Sequence, residues 1–291
     1  MNSLLPATPA ESATGFNRIH SVPVRRYGQI VVAIIIVVIA VWLFVTLAQN
    51  KNFDYSVVGQ YVFSTGILQG LGITLELTII GMAIGIVVGV LVAAARMSNN
   101  YVLRYLGGFY VWLFRGVPLL VQILIWGNFA LLFRTLDIGI PFTGITFAQF
   151  DTNAVLTTFV ASCLGLGLNE GAYMAEVVRG GIISVDHGQA EAATALGMSS
   201  STVLARIILP QAFRSIIPPT GNQLITLLKS STLVSVISGG DLLTTATNIS
   251  SVNYRTLELL IVATFWYLVV VSLLSIGQRV LERRASRGYT R

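Results

Sequence analysis

Six long apolar runs, at residues 30–48, 67–95, 109–133, 154–178, 212–237 and 256–280, constrain this chain more than any other feature. Each is close to or above the ~20 residues that a helix needs to cross hydrocarbon. The reading is an all-α integral membrane protein with six transmembrane helices. Composition agrees: 10% of the 291 residues are charged, against about 25% in soluble domains, so too little polar surface exists to coat a soluble core. The first run exceeds a secretory signal's apolar core and follows a long lead-in, which favours an uncleaved helix over a cleaved signal. Residues 1–29 are polar, with Arg18, Arg25 and Arg26, and read as a disordered tail.

Orientation follows from the basic residues. With the N-terminus inside, fourteen of the eighteen Lys and Arg side chains fall in inside loops and tails. Only Lys51, Arg134 and Arg255 fall outside, and Lys229 lies within a run. The positive-inside bias therefore places both termini in the cytoplasm of a multi-pass cell-membrane protein. One inside loop, residues 180–211, is long enough to carry its own structure. Ser184 and Asp186 are helix-capping types, residues 189–196 are rich in helix formers, and Gly197 suits a C-terminal stop. Ser199, Ser200 and Ser201 can cap a second helix running toward Pro210. A helix–Gly–helix element on the inner face has the form of a docking device for a partner.

The chain carries little chemistry of its own. Its one cysteine, Cys163, lies in an apolar run, and its two histidines, His20 and His187, lack ligand-like neighbours. Lys229-Ser230 follows Leu228 rather than a glycine-rich turn, so no nucleotide-cradling loop is encoded. No cofactor or metal site, and no nucleophile–base pair, is expected in this chain. The acids within or beside the runs are Glu76, Glu170 and Glu258, the last near the outer interface. An energised transporter would therefore draw on ATP hydrolysed by another chain, and an ion-gradient-driven carrier or channel is the alternative.

Five ordered blocks decide between these. The inside loop reads Glu191-Ala192-Ala193, three residues, Gly197, nine residues, Ile207, one residue, Leu209-Pro210. Around it stand Phe114-Arg115-Gly116-Val117-Pro118 through Gln122, Gly171-Ala172-Tyr173-Met174-Ala175-Glu176 through Gly180, Pro218-Pro219-Thr220-Gly221-Asn222-Gln223, and Leu227-Leu228-Lys229-Ser230-Ser231 through Ile237. Together they resemble the EAA-signature permeases of ATP-binding-cassette (ABC) importers, in the polar amino-acid branch of histidine, glutamine, glutamate and arginine type. The resemblance covers residues 60–284. It implies a five-helix type I importer core, to which residues 30–59 add an N-terminal transmembrane helix and outer loop, while residues 285–291 form a basic cytoplasmic tail. It also implies a cytoplasmic ABC ATPase dimer holding ATP and Mg, a second permease subunit, and an extracytoplasmic amino-acid-binding protein, with membrane lipid around the spans and no nucleic acid. Asp186 stands where many relatives carry proline, and an acid can cap there as well.

The resemblance assigns ATPase coupling to Glu191, Ala192, Ala193 and Gly197, carried on a coupling helix in the cytoplasm. Small residues permit close helix approach, and Glu191 offers a charge-assisted contact. Candidate pathway residues are Glu170, Lys229, Gln122, Asn222 and Glu76, polar groups whose presence in apolar runs calls for a wet cavity or a partner. Gly81, Gly85 and Gly89 form a small-residue packing face. Arg115 marks the inner edge of the third run, and Glu176 and Arg179, at i and i+3, form an expected pair.

Overall fold

The computed structural model describes residues 27–51, 53–140 and 145–285. The chain divides into two units, residues 1–52 and 53–291. Most of the expected N-terminal tail and all of the basic tail but residue 285 lie outside the described residues. The first unit holds α1 (Tyr27–Ala48), a 22-residue apolar helix over the first run.

The second unit opens with α2 (Tyr55–Tyr61) and α3 (Thr65–Met97), then α4 (Tyr101–Gly116), α5 (Leu119–Gly127) and the short α6 (Phe129–Leu132). A hairpin of β1 (Thr135–Ile140) and β2 (Ile145–Asp151) leads into α7 (Thr152–Val155) and α8 (Thr158–Ile183). Next come α9 (His187–Ala195), α10 (Ser200–Val203) and α11 (Leu209–Ser230), with a π-helical turn, Leu204–Ile208, joining the last two. A 3-10 stretch, Ser231–Ile237, precedes α12 (Leu242–Asn253) and α13 (Thr256–Ala285).

Among the described residues, α3 and α13 are long and apolar enough to cross a membrane, and α4 with α5 makes a third crossing if the bent pair is one span. Helices α8 and α11, of 26 and 22 residues, have the length but are interrupted by polar side chains.

Two features differ from the sequence expectation. The third run is broken: α4 and α5 meet at 98°. Pro118 has no N–H and pushes Val117 out of the helical region, to φ −87°, ψ 130°. The chain is also not purely helical, because residues 135–140 and 145–151 pair as antiparallel strands in which Leu136 faces Phe150 and Ile138 faces Ala148. Leu136, Ile138 and Ile140 alternate with Asp137 and Gly139, the period of a strand.

The core rests on close contact between α3 and α8. A Cβ added at Gly81 would lie 3.4 Å from Leu166, one at Gly85 2.6 Å from Glu170, and one at Gly89 2.5 Å from Met174. Partner numbers rise together, so the two helices run parallel. The glycine face is thus internal packing within one chain, and Leu77, Ile123, Leu166, Met174 and Leu227 close around it. A second apolar cluster, Ile67, Leu242, Ala246, Leu259 and Val262, joins α3, α12 and α13. Trp266 Nε1 donates to Val62 O at 2.7 Å, tying α13 to the end of α2.

Candidate coupling loop and polar pathway

The loop over residues 180–211 folds as its residue types dictate. Asp186 Oδ1 accepts from Gly188 N at 2.7 Å and starts α9. At the far end Gly197 N donates to Thr194 O at 2.9 Å and Met198 N to Ala193 O at 3.2 Å. With Gly197 at φ +80°, this is a Schellman stop, which a residue bearing Cβ would strain. Ser199 then caps α10 through its contact with Thr202 N, and the helix runs on through the π turn into α11, with Pro210 in its first turn. Glu191, Ala192 and Gly197 are exposed, whereas Ala193 is buried against the chain itself. Leu196, which sequence reasoning passed over, stands out at 83% exposed beside them. An apolar residue just before a glycine stop is its only sequence signal.

The polar residues of the runs divide into an interior group and an exposed stripe. Glu170 is 4% exposed, lies against Gly85, and its Oε1 is buried without a hydrogen-bond partner. Its neighbour Asn169 accepts from Gln122 Nε2 at 3.3 Å. The same Gln122 nitrogen donates to Phe114 O at 2.9 Å and Val117 O at 2.8 Å, carbonyls left over where Pro118 interrupts the helix. Gln122 therefore splints the bend. Tyr110 adds a 2.6 Å bond to Leu168 O, fixing α4 on α8.

Asn222, Thr226 and Lys229 follow one another at i, i+4 and i+7 on an exposed face of α11, and Asn222 Oδ1 accepts from Gln278 Nε2 at 2.7 Å. Glu76 is exposed on α3. Among the described residues, Glu76, Glu170 and Lys229 form no ion pair, so these three expected pathway residues are not brought into contact with one another.

A charge cluster lies further along α8. Glu176 takes Arg96 on Oε1 and Arg179 on Oε2, the latter at 2.7 and 3.0 Å, with Arg115 3.9 Å away. The expected pairing of Glu176 with Arg179 is present. Arg96, from eighty residues upstream, could be found only by folding the chain. Arg115 is also stacked over Tyr173, 5.2 Å from the ring centre. Near the start of the second unit, Glu258 accepts from Asp54 N at 3.2 Å and pairs with Arg255 at 3.6 Å. Hydrogen bonds from Ser56 hold the Asp54 carboxyl below its ordinary pKa. Among the described residues no group of three or more His, Cys, Asp or Glu is placed to hold a metal ion.

Known proteins share this organisation. Residues 85–287 match the family described as binding-protein-dependent transport system inner membrane component. The arginine transport system permease protein ArgU of Corynebacterium glutamicum is 39% identical over 97% of this chain and 88% of its own, so the likeness extends well upstream of the family match. The arginine transport system permease protein ArtQ of Bacillus subtilis is 34% identical over 80% of this chain and 97% of its own. Among solved structures, an amino acid ABC transporter crystallised with histidines aligns at 34% identity and TM-score 0.67, over 79% of this chain and 98% of that one. An inward-facing MetNI methionine ABC transporter, at 18% identity and TM-score 0.56 over 78% of this chain and 97% of that one, shares the fold. The chain belongs to the binding-protein-dependent transport system inner membrane components, the membrane permease subunits of ABC importers.

Proposed function

We propose that this chain is the pathway-forming permease of an ATP-driven importer of polar amino acids, with six spans and both termini in the cytoplasm. The observation that carries the reading is the inside loop, a capped and glycine-stopped helix presenting Glu191, Ala192 and Leu196 to solvent. In this reading α9 is a coupling helix that enters a cleft of a separate ATPase subunit. Glu191 makes a charge-assisted contact, Ala192 permits close approach, and Ala193 and Gly197 set the angle at which the helix is held. ATP and Mg stay on the ATPase dimer. Its closure moves α9, and through the Gly197 stop, α10 and the π turn that runs into α11 that movement shifts the spans between inward- and outward-open states. An extracytoplasmic binding protein delivers substrate, and a second permease, identical or not, completes the pathway.

Glu170, Lys229, Gln122, Asn222 and Glu76 are proposed to serve the pathway. The unpartnered carboxylate oxygen of Glu170 supports a ligand-binding or basic-partner role, and the names of the arginine permease relatives favour amino-acid cargo with a cationic or zwitterionic group. The domain limits expected from sequence are kept: an added helix over 30–59 and a permease body over 60–284.

The test is purification of the transporter from its native membrane in mild detergent, followed by an ATPase assay on the eluate. ATPase should accompany the native chain and be lost with Gly197→Asp, which strains the stop. No ATPase in the eluate under several detergents, together with a Gly197→Asp chain that still transports and uptake that survives ATP depletion but fails with an uncoupler, would make the chain a gradient-driven carrier. Glu170→Gln should alter uptake of at least one amino acid; an unchanged uptake profile removes Glu170 from the pathway.

A further inference from the structure

A cleft of about 1130 Å³ opens where three elements end: the α8–α9 connection, the first turns of α11 and the last turns of α13. Its charged lining is Arg214, Arg279, Arg283, Asp186 and Glu282. Both carboxylates accept hydrogen bonds and keep their charge, so the three arginines leave the lining one positive charge in excess. Asp186 caps α9 through Gly188 N, and Glu282 Oε1 accepts from Gln278 Nε2 at 2.8 Å. Arg214 and Arg279 are exposed, and among the described residues neither makes an ion pair or a hydrogen bond. Two guanidinium groups on separate helices thus face one cleft with no ion-pair partner among the described residues. Arginine's planar fork is suited to paired oxygens of a phosphate.

The position of these arginines in the chain identifies the anion. Arg214 lies two residues inside the start of the fifth apolar run, and Arg279 one residue inside the end of the sixth. Both are therefore at the level of a lipid headgroup layer, above apolar helix surface that acyl chains can cover, with Val185 and Pro218 in the cleft wall. Basic pockets between transmembrane helices on the cytoplasmic side take anionic headgroups. We propose that this cleft binds the phosphate headgroup of an anionic phospholipid, with Arg214 and Arg279 as its ligands. The depth of the two arginines and the choice of the cytoplasmic leaflet rest on the six-span topology proposed above; the site does not depend on transport or on the ATPase.

The experiment uses the intact transporter in mixed-lipid nanodiscs, with lipid retention read by native mass spectrometry after release. The probes are phosphatidylglycerol, phosphatidylcholine and inorganic phosphate. The native protein should retain phosphatidylglycerol over phosphatidylcholine. Arg214→Gln with Arg279→Gln should weaken phosphatidylglycerol binding about thirty-fold, the effect of removing two basic groups from an anionic surface. Arg214→Lys with Arg279→Lys keeps the charge and should retain most of the lipid, which separates loss of the site from loss of the fold. Equal retention by the Gln pair and the native protein overturns the proposal. Displacement of the lipid by millimolar inorganic phosphate would make this a free-phosphate site. Loss of the ATPase from the Gln pair with lipid retained would make it a protein-docking face. Because lipid retention is measured without uptake, its failure is distinct from failure of the importer reading.

Discussion

Glu176 is the one acid shared by Arg96, Arg115 and Arg179, so its charge has three dependants on three helices. Neutralising it leaves guanidinium groups facing each other in a half-buried setting. Glu176→Gln is expected to destabilise the permease by on the order of 1–2 kcal/mol, discounted for partial exposure. Thermal denaturation in detergent, with Arg179→Gln as a milder comparison, measures the difference. Gly197 makes a conformational demand instead. Gly197→Ala places Cβ at φ +80° and costs about 1–2 kcal/mol in the loop. Since nothing lies within 4 Å of the added carbon, the loss comes from backbone alone. Hydrogen exchange confined to the α9–α10 turn, with the spans unaffected, is the expected signature.

Each element has a different point of weakness. The parallel α3–α8 pair depends on absent side chains: Gly85→Val would drive a β-branched group into Glu170 and should destabilise the fold by about 1–3 kcal/mol. Gly72→Val on the same helix, with open space around its Cα, is the control. Helix α2 depends on a cap. The lowered pKa of Asp54 means that the carboxylate's stabilising contribution is present above the unfolded value, about 3.9, and is lost as pH falls through the lower folded value. The protection of amides 55–61, relative to their intrinsic exchange, should therefore fall below about pH 4 and should already be low at neutral pH in Asp54→Ala, whereas Asp54→Asn, which can still accept from Ser56 N, should keep it without the pH dependence. These elements also show what a sequence discloses. The runs, the Asp186 start, the Gly197 stop and the Glu176–Arg179 pair are local, so spacing and residue type reveal them. Pro118 is a local signal for the 98° bend, left unused where 109–133 is read as one run, and the Gln122 splint depends on carbonyls that only the folded bend exposes. The hairpin's alternation was readable in residues 136–140 and masked by the apolar run ending at Phe133. Arg96 meeting Glu176 is a tertiary event with no local trace.

At the scale of the molecule, the proposed six-span topology places residue 149 outside and residue 199 inside. Cys163 is buried, which makes a clean labelling background after Cys163→Ser. In intact cells, Gln149→Cys should react with a membrane-impermeant maleimide, and Ser199→Cys should react only in inside-out vesicles. The reverse pattern would invert the whole arrangement. The parallel pairing of α3 with α8 also sets a timetable for biogenesis. Gly85 leaves the ribosome about 85 residues before Glu170, its partner. At ordinary translation speeds that interval is on the order of ten seconds. For that time the glycine-lined side of α3 waits in the bilayer with nothing of its own chain to close on, exposed to any other helix with a small-residue face. Overproduction, which crowds the membrane with such half-made chains, would favour wrong pairings over the right one, and slower initiation of translation would restore the yield.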